Sequence, residues 1–172
     1  MLCVLFDANI CSSKYRFEMK QPKTPPKVAN FEDPILSIGV MAEKVGVSPE
    51  TLRLYEREGL LLPKKSAKGT RSYSLHDVVR VLCIRSLIHE RKMNIAGIKH
   101  LLALIPCWDI KPCSENERQN CPAYLNNIQV CWELENTGTD CKNFDCRDCE
   151  VYKQACDEVG DMKSKYLMTV KK

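Results

Sequence analysis

The sequence predicts a mainly α-helical protein of two units, and three observations lead to that prediction. First, apolar residues between Ser37 and Ile105 recur at spacings of three and four, flanked by residues that commonly begin or end helices. Second, one run rich in Pro, Lys and Gly interrupts this pattern after two short helices. Third, eight of the eleven cysteines lie within residues 107–156, in a region with few large aliphatic residues. The second unit is therefore expected to be small and to need a bound metal or a cross-link in order to fold.

Length and charge limit the possible functions. With 172 residues and 44% apolar composition, the chain can bury one ordinary core and a small second unit. Residues 37–106 hold twelve Lys and Arg against six Asp and Glu, whereas residues 107–172 hold nine against twelve. A basic middle unit suits a polyanion, although composition alone does not separate DNA from RNA or an anionic membrane surface. The sequence has neither a run of about eighteen apolar residues nor a signal-peptide pattern, so we expect a cytoplasmic protein without a membrane partner.

Residues 1–36 are expected to be a flexible N-terminal tail. The stretch KQPKTPPKVANFEDP is rich in Pro and Lys and has few periodic apolar residues. Met19 is an alternative start to Met1, and for that reason Cys3 and Cys11 carry little weight as ligands.

Residues 37–59 are expected to form two short helices joined by a tight turn. Ser37 can cap the first helix, and Gly46 can end it. Ser48 and Pro49 begin the second helix, which runs to about residue 58 before Gly59 stops it. This order is typical of a helix-turn-helix motif.

A basic hairpin and two further helices are expected to follow. A proline breaks the helical pattern, lysines surround a turn at Gly69, and residues 72–74 are predicted to return as a short strand. A third helix is expected over about 76–92, with Val78, Leu82 and Ile88 facing the core. A wider apolar stripe on that helix also includes Val81, Ile84 and Leu87. A fourth helix is expected over about 95–105. Residues 37–106 are therefore predicted to form a winged helix-turn-helix domain, which favours DNA as the polyanion.

The same residues resemble a known family. The stretch LSIGVMAEKVGVSPETLRLYEREGLL, followed by GTRSYS and DVVRVL, is similar to the MerR family of bacterial transcription regulators over residues 36–105. NIAGIKHLL is most similar to the heat-shock-repressor branch of that family. The resemblance implies sequence-specific binding to double-stranded DNA as a homodimer, with RNA polymerase as a further expected partner.

The resemblance also implies which residues meet DNA. Thr51, Arg53 and Tyr55 match the positions of the second helix that enter the major groove. Arg71 and Tyr73 match positions on the wing near the phosphates. An arginine fork can grip a phosphate or a guanine edge, and a tyrosine hydroxyl can donate to a phosphate, although the spacing of Tyr55 suits core packing equally well. Sequence-independent attraction is expected from three wing lysines: Lys64, Lys65 and Lys68.

One departure from the family concerns the dimer. Activators of the family usually continue from the fourth helix into a long antiparallel coiled coil. Here Pro106 and Cys107 interrupt that point, and no run of three heptads follows. We therefore expect the dimer contact in the C-terminal unit, with the helix-like stretch 150–168 as a candidate.

Residues 107–172 are expected to be a cysteine-rich unit that contains an internal repeat. CWDIKPCSENERQNCPAY aligns with CWELENTGTDCKNFDCRDCEVY when four residues are inserted after the second Cys-Trp-acid. The alignment matches Cys107 with Cys131, Cys113 with Cys141, Cys121 with Cys149 and Tyr124 with Tyr152. Cys146 and Cys156 are additional to the repeat.

Three chemistries could use these cysteines, and the sequence leaves all three open. An iron–sulfur cluster takes four thiolates at scattered spacings, and Trp108 and Trp132 would shield it from solvent. Structural zinc also takes four, usually from two Cys-x-x-Cys pairs, of which residues 146–149 provide one. Thiol redox chemistry or oxidised pairs would need no metal, but a reducing cytosol opposes disulfides.

The predicted ligands are the local Cys-x-x-Cys pair, which can chelate one metal, and the two cysteines before it in sequence. The first predicted set is Cys131, Cys141, Cys146 and Cys149, and the second is Cys107, Cys113, Cys121 and Cys156. Cys83 is predicted to be a small buried apolar residue of the third helix instead of a ligand.

The leading hypothesis is a transcription regulator whose C-terminal unit binds an iron–sulfur cluster or zinc and senses redox or metal state. A metal that only folds this unit is the simpler alternative. Two other classes stay open: an iron–sulfur electron carrier or enzyme tethered to DNA, and a DNA-bound adaptor with a structural zinc unit. Against an enzyme, the sequence has no nucleophile–base constellation and no phosphate loop.

Overall fold

The protein is mainly helical in a computed structural model that describes residues 30–126 and 128–159. Most of the predicted N-terminal tail and the end of the helix-like stretch 150–168 lie outside the described residues. No helix within the described ranges is long and apolar enough to cross a bilayer.

Two short helices open the N-terminal domain, as the capping residues predict. Helix α1 spans Ile38–Val45 and helix α2 spans Pro49–Arg57. The side chains of Ser37 and Ser48 each accept a hydrogen bond from a backbone amide in the first turn of their helix. Gly46 ends α1 with a φ of 64°, a left-handed conformation that favours glycine.

A two-stranded wing follows the two helices. Strand β1, Lys64–Lys65, pairs antiparallel with β2, Arg71–Ser72, and Gly69 allows the turn between them with a φ of 78°. The predicted returning strand was placed one residue too late. Tyr73 instead pairs with Leu36, which fixes the base of the wing to the start of the domain.

Two further helices complete the domain, and the predicted inner face of the first is wrong at Leu82. Helix α3 spans Leu75–His89 and helix α4 spans Ile95–Ala103. Leu82 of α3 is 45% exposed, whereas Asp77 and Arg80 are only 1% and 2% exposed. The polar side chains are buried because the C-terminal unit packs against that face of α3.

The C-terminal unit consists of short helical segments around loops. In chain order they are α5 (Cys107–Ile110), α6 (Glu115–Gln119), α7 (Pro122–Leu125), a 3₁₀ turn (Cys131–Glu133), α8 (Thr139–Lys142), a second 3₁₀ turn (Cys146–Asp148) and α9, whose described part is 150–159. Within the ranges that the structure describes, α4 is not followed by a long helix, which agrees with the predicted interruption at Pro106.

The two units share one apolar core. Val130, Val151 and Ala155 of the C-terminal unit belong to the same buried cluster as Leu52 and Leu60 of the N-terminal domain. Because buried apolar area is the main source of folding free energy, each unit stabilises the other.

A disulfide bond also joins the units, which corrects two predictions. Cys83 of α3 is bonded to Cys156 of α9, across 73 residues of sequence. Cys83 is therefore a half of a cross-link and not simply a small apolar residue. Cys156 is consumed by the same bond, so its predicted place in the second ligand set is wrong.

Candidate functional site

Seven cysteines line one cavity of about 440 Å³ in the C-terminal unit. They are the seven cysteines outside the disulfide within the described ranges: Cys107, Cys113, Cys121, Cys131, Cys141, Cys146 and Cys149. All four members of the first predicted ligand set lie on this wall, together with three members of the second. The two sets therefore share a cavity. Among residues 30–126 and 128–159, no three His, Cys, Asp or Glu side chains already converge on a single-ion site.

Burial raises the pKa of four thiols of the cavity, so these favour their neutral form in the absence of a cation: Cys107, Cys131, Cys141 and Cys146. Burial raises the pKa of Cys107 to about 11, and the nearby thiols of Cys121 and Cys141 add to that shift. Burial also raises the pKa of Cys131, to which Cys107 and Cys149 contribute further. Thiols from both repeats therefore line the same cavity and affect one another electrostatically. A bound cation would favour their thiolate forms.

Aromatic and basic side chains form the remainder of the wall. Trp108, Trp132 and Phe144 line the cavity, and the Lys111 ammonium lies 4.0 Å from the centre of the Phe144 ring. Burial raises the pKa of Cys141, and Lys111 opposes that shift. The wall thus combines shielding rings with a positive charge that stabilises thiolates.

The two repeats build the same local contact. In the first, Trp108 and Tyr124 meet edge to face with ring centres 4.9 Å apart. In the second, Trp132 and Tyr152 meet in the same way at 5.2 Å. The aligned residues of the sequence repeat are therefore also equivalent in space.

The exposed surface of α2 and the wing carries most of the predicted DNA-binding residues. The Arg53 side chain is 41% exposed and pairs with Glu50, and the Thr51 hydroxyl lies 3.0 Å from the Ser48 hydroxyl. The Arg71 side chain is 40% exposed. Three lysines of the wing are also exposed: Lys64, Lys65 and Lys68.

Two predicted DNA-binding residues are core residues instead. Tyr55 is 4% exposed and Tyr73 is fully buried, so direct contact of either ring with DNA is excluded in this conformation. The Tyr73 hydroxyl donates to the Glu56 carboxylate, and burial followed by this hydrogen bond raises the pKa of Tyr73. Arg71 Nε donates to the other oxygen of Glu56 at 2.6 Å. Glu56 thus fixes the wing to α2, a role that the sequence analysis missed.

Comparison with known proteins identifies the N-terminal domain. A family profile described as "MerR HTH family regulatory protein" matches residues 36–105, which are the residues that form α1 to α4 and the wing. This chain carries a MerR-family helix-turn-helix domain. The match ends before Cys107, the first cysteine of the cavity.

Several bacterial regulators are similar to parts of this chain. A heat shock protein, HspR of Streptomyces coelicolor, is 36% identical over 73 residues, which cover 42% of this chain and 48% of HspR. The HTH-type transcriptional regulator TnrA of Bacillus subtilis is 42% identical over 50 residues, covering 29% and 46%. The mercuric resistance operon regulatory protein of Pseudomonas fluorescens is 48% identical over 52 residues, covering 30% and 36%. The chain thus spans about half or less of the length of these relatives.

The second cysteine repeat binds the segment that joins α2 of the MerR-type domain to its wing, Gly59–Leu62, which we call the docking segment. Trp132 Nε1 donates to the Gly59 carbonyl at 2.8 Å, and the Leu62 amide donates to the Tyr152 hydroxyl at 2.9 Å. Arg147 donates to the Leu62 carbonyl. Backbone groups of the docking segment are therefore held by Trp132 and Arg147, which directly follow Cys131 and Cys146, and by Tyr152 of α9.

Gly59 is required by two features of this contact. Its φ of 69° is unfavourable for residues with a side chain, and a Cβ atom would collide with the Glu133 carboxylate. Glu133 in turn pairs with Lys99 of α4 at 3.1 Å. A side chain at position 59 would therefore clash with Glu133 of the second repeat unless Glu133 moved.

Arg80 of α3 lies where the two units meet. Its Nε donates to the Leu60 carbonyl and its Nη1 to the Tyr152 carbonyl, each at 2.7 Å. Its guanidinium carbon is 3.8 Å from the centre of the Tyr152 ring and 5.2 Å from that of Trp132. Burial lowers the pKa of Arg80, while the acidic groups of Tyr152, Asp77 and Cys131 oppose that shift.

Asp77 and Arg80, which join the two units, were not predicted as contact residues from the sequence. Asp77 accepts hydrogen bonds in the Ser74 capping box and lies 3.4 Å from Arg147. A signal for this contact was present, because Asp77 and Arg80 interrupt the apolar pattern of α3 on one face. The signal did not identify the partners, which lie 70 and 72 residues away in sequence.

Proposed function

We propose that the protein is a DNA-binding transcription regulator of the MerR family whose cysteine-lined cavity holds an iron–sulfur cluster that controls DNA binding. The observation that carries this proposal is the position of the cavity. Seven thiols surround it, and the residues directly after two of them, Trp132 and Arg147, bond to the segment between α2 and the wing.

The donor set and the size of the cavity fit a polynuclear cluster. Four thiolates bound to one zinc ion at about 2.3 Å lie only roughly 3.8 Å from one another. A cavity of about 440 Å³ lined by seven thiols is larger than such a site requires. Iron–sulfur clusters are bound by four thiolates at varied spacings, and surrounding hydrophobic side chains and hydrogen bonds tune them. Bound in the cavity, a cluster would supply one-electron redox chemistry.

The chain's own residues would hold and shield that group. Cys131, Cys141, Cys146 and Cys149 remain the proposed ligands, and Cys107, Cys113 and Cys121 are the further thiols of the same wall. The rings of Trp108 and Trp132 limit access of water, and Lys111 offsets part of the thiolate charge.

DNA would be bound by the exposed residues of α2 and the wing. Arg53 and Thr51 are proposed to read base edges, while Arg71 and the three wing lysines bind phosphates and make affinity depend on salt. A single short recognition helix reads too few bases for genomic specificity, so we expect a homodimer on a symmetric site. Sedimentation of the full-length chain, alone and with duplex DNA, measures this stoichiometry.

Control of DNA binding would follow from the shared contacts. Loading the cavity would order the turns that contain Cys131 and Cys146 and thereby position Trp132 and Arg147 on the docking segment. Loss of the metal would loosen those turns and, with them, the orientation of the wing relative to α2.

Metal analysis of protein purified without oxygen tests the cofactor. We expect iron and acid-labile sulfide in comparable amounts, and broad visible absorption that bleaches on reduction. Colourless protein with stoichiometric zinc would replace the cluster by a structural zinc site, and protein without metal would overturn the proposed cofactor.

DNA-binding measurements test whether α2 contacts the base edges. Arg53→Ala is expected to weaken binding to the specific site by about 1–3 kcal/mol and binding to random DNA much less. Lys65→Ala is the matched control, since a phosphate contact should weaken both alike. Equal affinity of wild type and Arg53→Ala for all sequences would contradict the assignment of α2.

A further inference from the structure

One of the three wing lysines is paired with the C-terminal unit, unlike the other two. The Lys64 ammonium nitrogen lies 3.7 Å from a carboxylate oxygen of Asp145, which directly precedes the 3₁₀ turn Cys146–Asp148. Lys65 and Lys68 are exposed, and within the described part of the chain neither forms an ion pair. The C-terminal unit therefore offsets part of the positive charge that the wing offers to DNA.

The position of the Asp145 carboxylate is determined by contacts other than the one with Lys64. Its Oδ1 accepts a hydrogen bond from the Arg147 amide at 3.0 Å, and its Oδ2 faces Lys64. The Arg147 side chain is 14% exposed, donates to the Leu62 carbonyl and lies 3.4 Å from the Asp77 carboxylate. The turn is thus fixed to the docking segment and to α3, and it holds Asp145 beside the wing.

The pair is open to a competing anion. The side chain of Lys64 is 55% exposed and that of Asp145 is 47% exposed. Exposed ion pairs are weak because water and salt screen them, so another anion can replace the carboxylate. A cleft of about 410 Å³ lies beside the pair, between α2, the wing and the turn, and Lys64 and Lys65 both line it. This cleft leaves room for a phosphate of the DNA backbone to reach Lys64.

We propose that Asp145 is an inhibitory contact for DNA binding: its carboxylate occupies the Lys64 ammonium in the free protein, and a DNA phosphate must displace it. The inference rests on the proposed binding of DNA by the wing and adds a competing group of the protein itself. Phosphates carry no sequence information, so the competition lowers affinity for every duplex alike. It does not depend on what the cysteine-lined cavity holds.

The test measures DNA binding by variants of the full-length protein. Asp145→Asn removes the negative charge and keeps a side-chain oxygen that can accept from the Arg147 amide, so the turn should stay in place. Asp148→Asn is the matched control, because Asp148 is an exposed carboxylate of the same turn and, among the described residues, forms no ion pair. The two substitutions change the net charge by the same amount. The Kd values for the specific duplex and for a random duplex are measured at low salt.

We expect Asp145→Asn to bind both duplexes roughly two- to fivefold more tightly for each subunit on DNA, as expected from the strength of one exposed ion pair. Asp148→Asn should change both Kd values much less. The increase in affinity should disappear in a Lys64→Ala background and persist in a Lys65→Ala background, because Lys64 is the partner of Asp145. Higher salt should reduce the increase, since it screens the pair.

Cross-linking gives a second measurement that does not depend on Kd. A carbodiimide should join the Asp145 carboxylate to the Lys64 amine in the free wild type, because the two groups are in contact. Saturating duplex DNA should lower the yield of this amide. A yield that DNA leaves unchanged would contradict the displacement.

The outcomes separate this inference from the proposed function. Wild-type protein that binds no duplex would overturn both. Wild-type protein that binds DNA, together with an Asp145→Asn variant of equal Kd, would overturn the inhibitory role of Asp145 alone. An increase in affinity that persists in the Lys64→Ala background would also overturn it, because that result would be a general effect of net charge.

Discussion

The two cysteine repeats have the same internal contact and opposite surroundings. Each contributes three aligned cysteines to the cavity and packs its tryptophan edge to face on its tyrosine. Tyr124 of the first repeat is 42% exposed, whereas Tyr152 of the second is 2% exposed and bonds to Leu62. The tyrosine of the first copy is thus exposed to solvent, whereas that of the second is buried against the MerR-type domain.

This difference distinguishes the residues that line the cavity from those that attach the second repeat to the docking segment. The aligned cysteines and tryptophans of both copies line the cavity, whereas only in the second copy do the tryptophan and the tyrosine also bond to the docking segment. Arg147 occurs only in the second copy. At the aligned position the first copy has Gln119, which bonds to Glu115 within its own helix at 3.1 Å. The two copies thus share the residues that line the cavity, and the second copy alone has an arginine that bonds to the docking segment.

The largest effect is expected from removing a cysteine of the second repeat. Cys149→Ser should lose its metal and lower the free energy of unfolding by several kcal/mol, because the free energy of metal binding no longer contributes to folding of the C-terminal unit. The aligned variant Cys121→Ser should retain more metal, since Cys121 is outside the proposed first ligand set. Metal per chain and urea unfolding measure both. Equal metal loss would show that the repeats contribute ligands equally.

The disulfide, which joins α3 to α9 just after the second repeat, gives the next largest effect. Cys156→Ser should lower the free energy of unfolding of oxidised protein by about 2–4 kcal/mol, because a long loop is no longer closed in the unfolded chain. Cys83→Ser should behave in the same way, and both should retain full metal content. A loss of metal in Cys156→Ser alone would return Cys156 to the ligands.

The smallest effect distinguishes the two tyrosines most cleanly. Tyr152→Phe deletes one hydroxyl and leaves the Leu62 amide without its acceptor, which should cost about 1–3 kcal/mol. Tyr124→Phe deletes the same hydroxyl from the exposed copy and should change stability by less than about 0.5 kcal/mol. Urea unfolding with unchanged m-values is the measurement. Equal costs would mean that docking does not depend on this bond.

Local signals predicted the N-terminal domain well. The serine caps, Pro49, Gly46 and Gly69 each determine the conformation of their own neighbours, and the structure places helices and the wing turn accordingly. On the inner face of α3, the predicted Val81, Ile84 and Leu87 are buried, whereas the predicted Leu82 is exposed. Burial of Asp77 and Arg80 was not predicted, because it depends on partners 70 and 72 residues away. Helical periodicity contains no information about such a partner.

The cysteines of the candidate site were predicted from the sequence, but their grouping in space was not. The repeat identified the six cysteines that, with Cys146, line the cavity. The pairing of Cys83 with Cys156 could not be read from spacing, since it depends on how α9 packs on α3. Tyr55 and Tyr73 show the same limit: their residue type suits a DNA contact, but the fold buries both.

The DNA affinity of one protein sample with and without its metal tests the coupling of the two units most directly. Loaded protein and protein freed of metal by a chelator, with the Cys83–Cys156 disulfide intact in both, are titrated onto the specific duplex at one fixed salt concentration. We predict that the loaded form binds about tenfold or more tightly, because the second repeat then holds the docking segment in place. Equal Kd values for the loaded and metal-free forms would contradict the account.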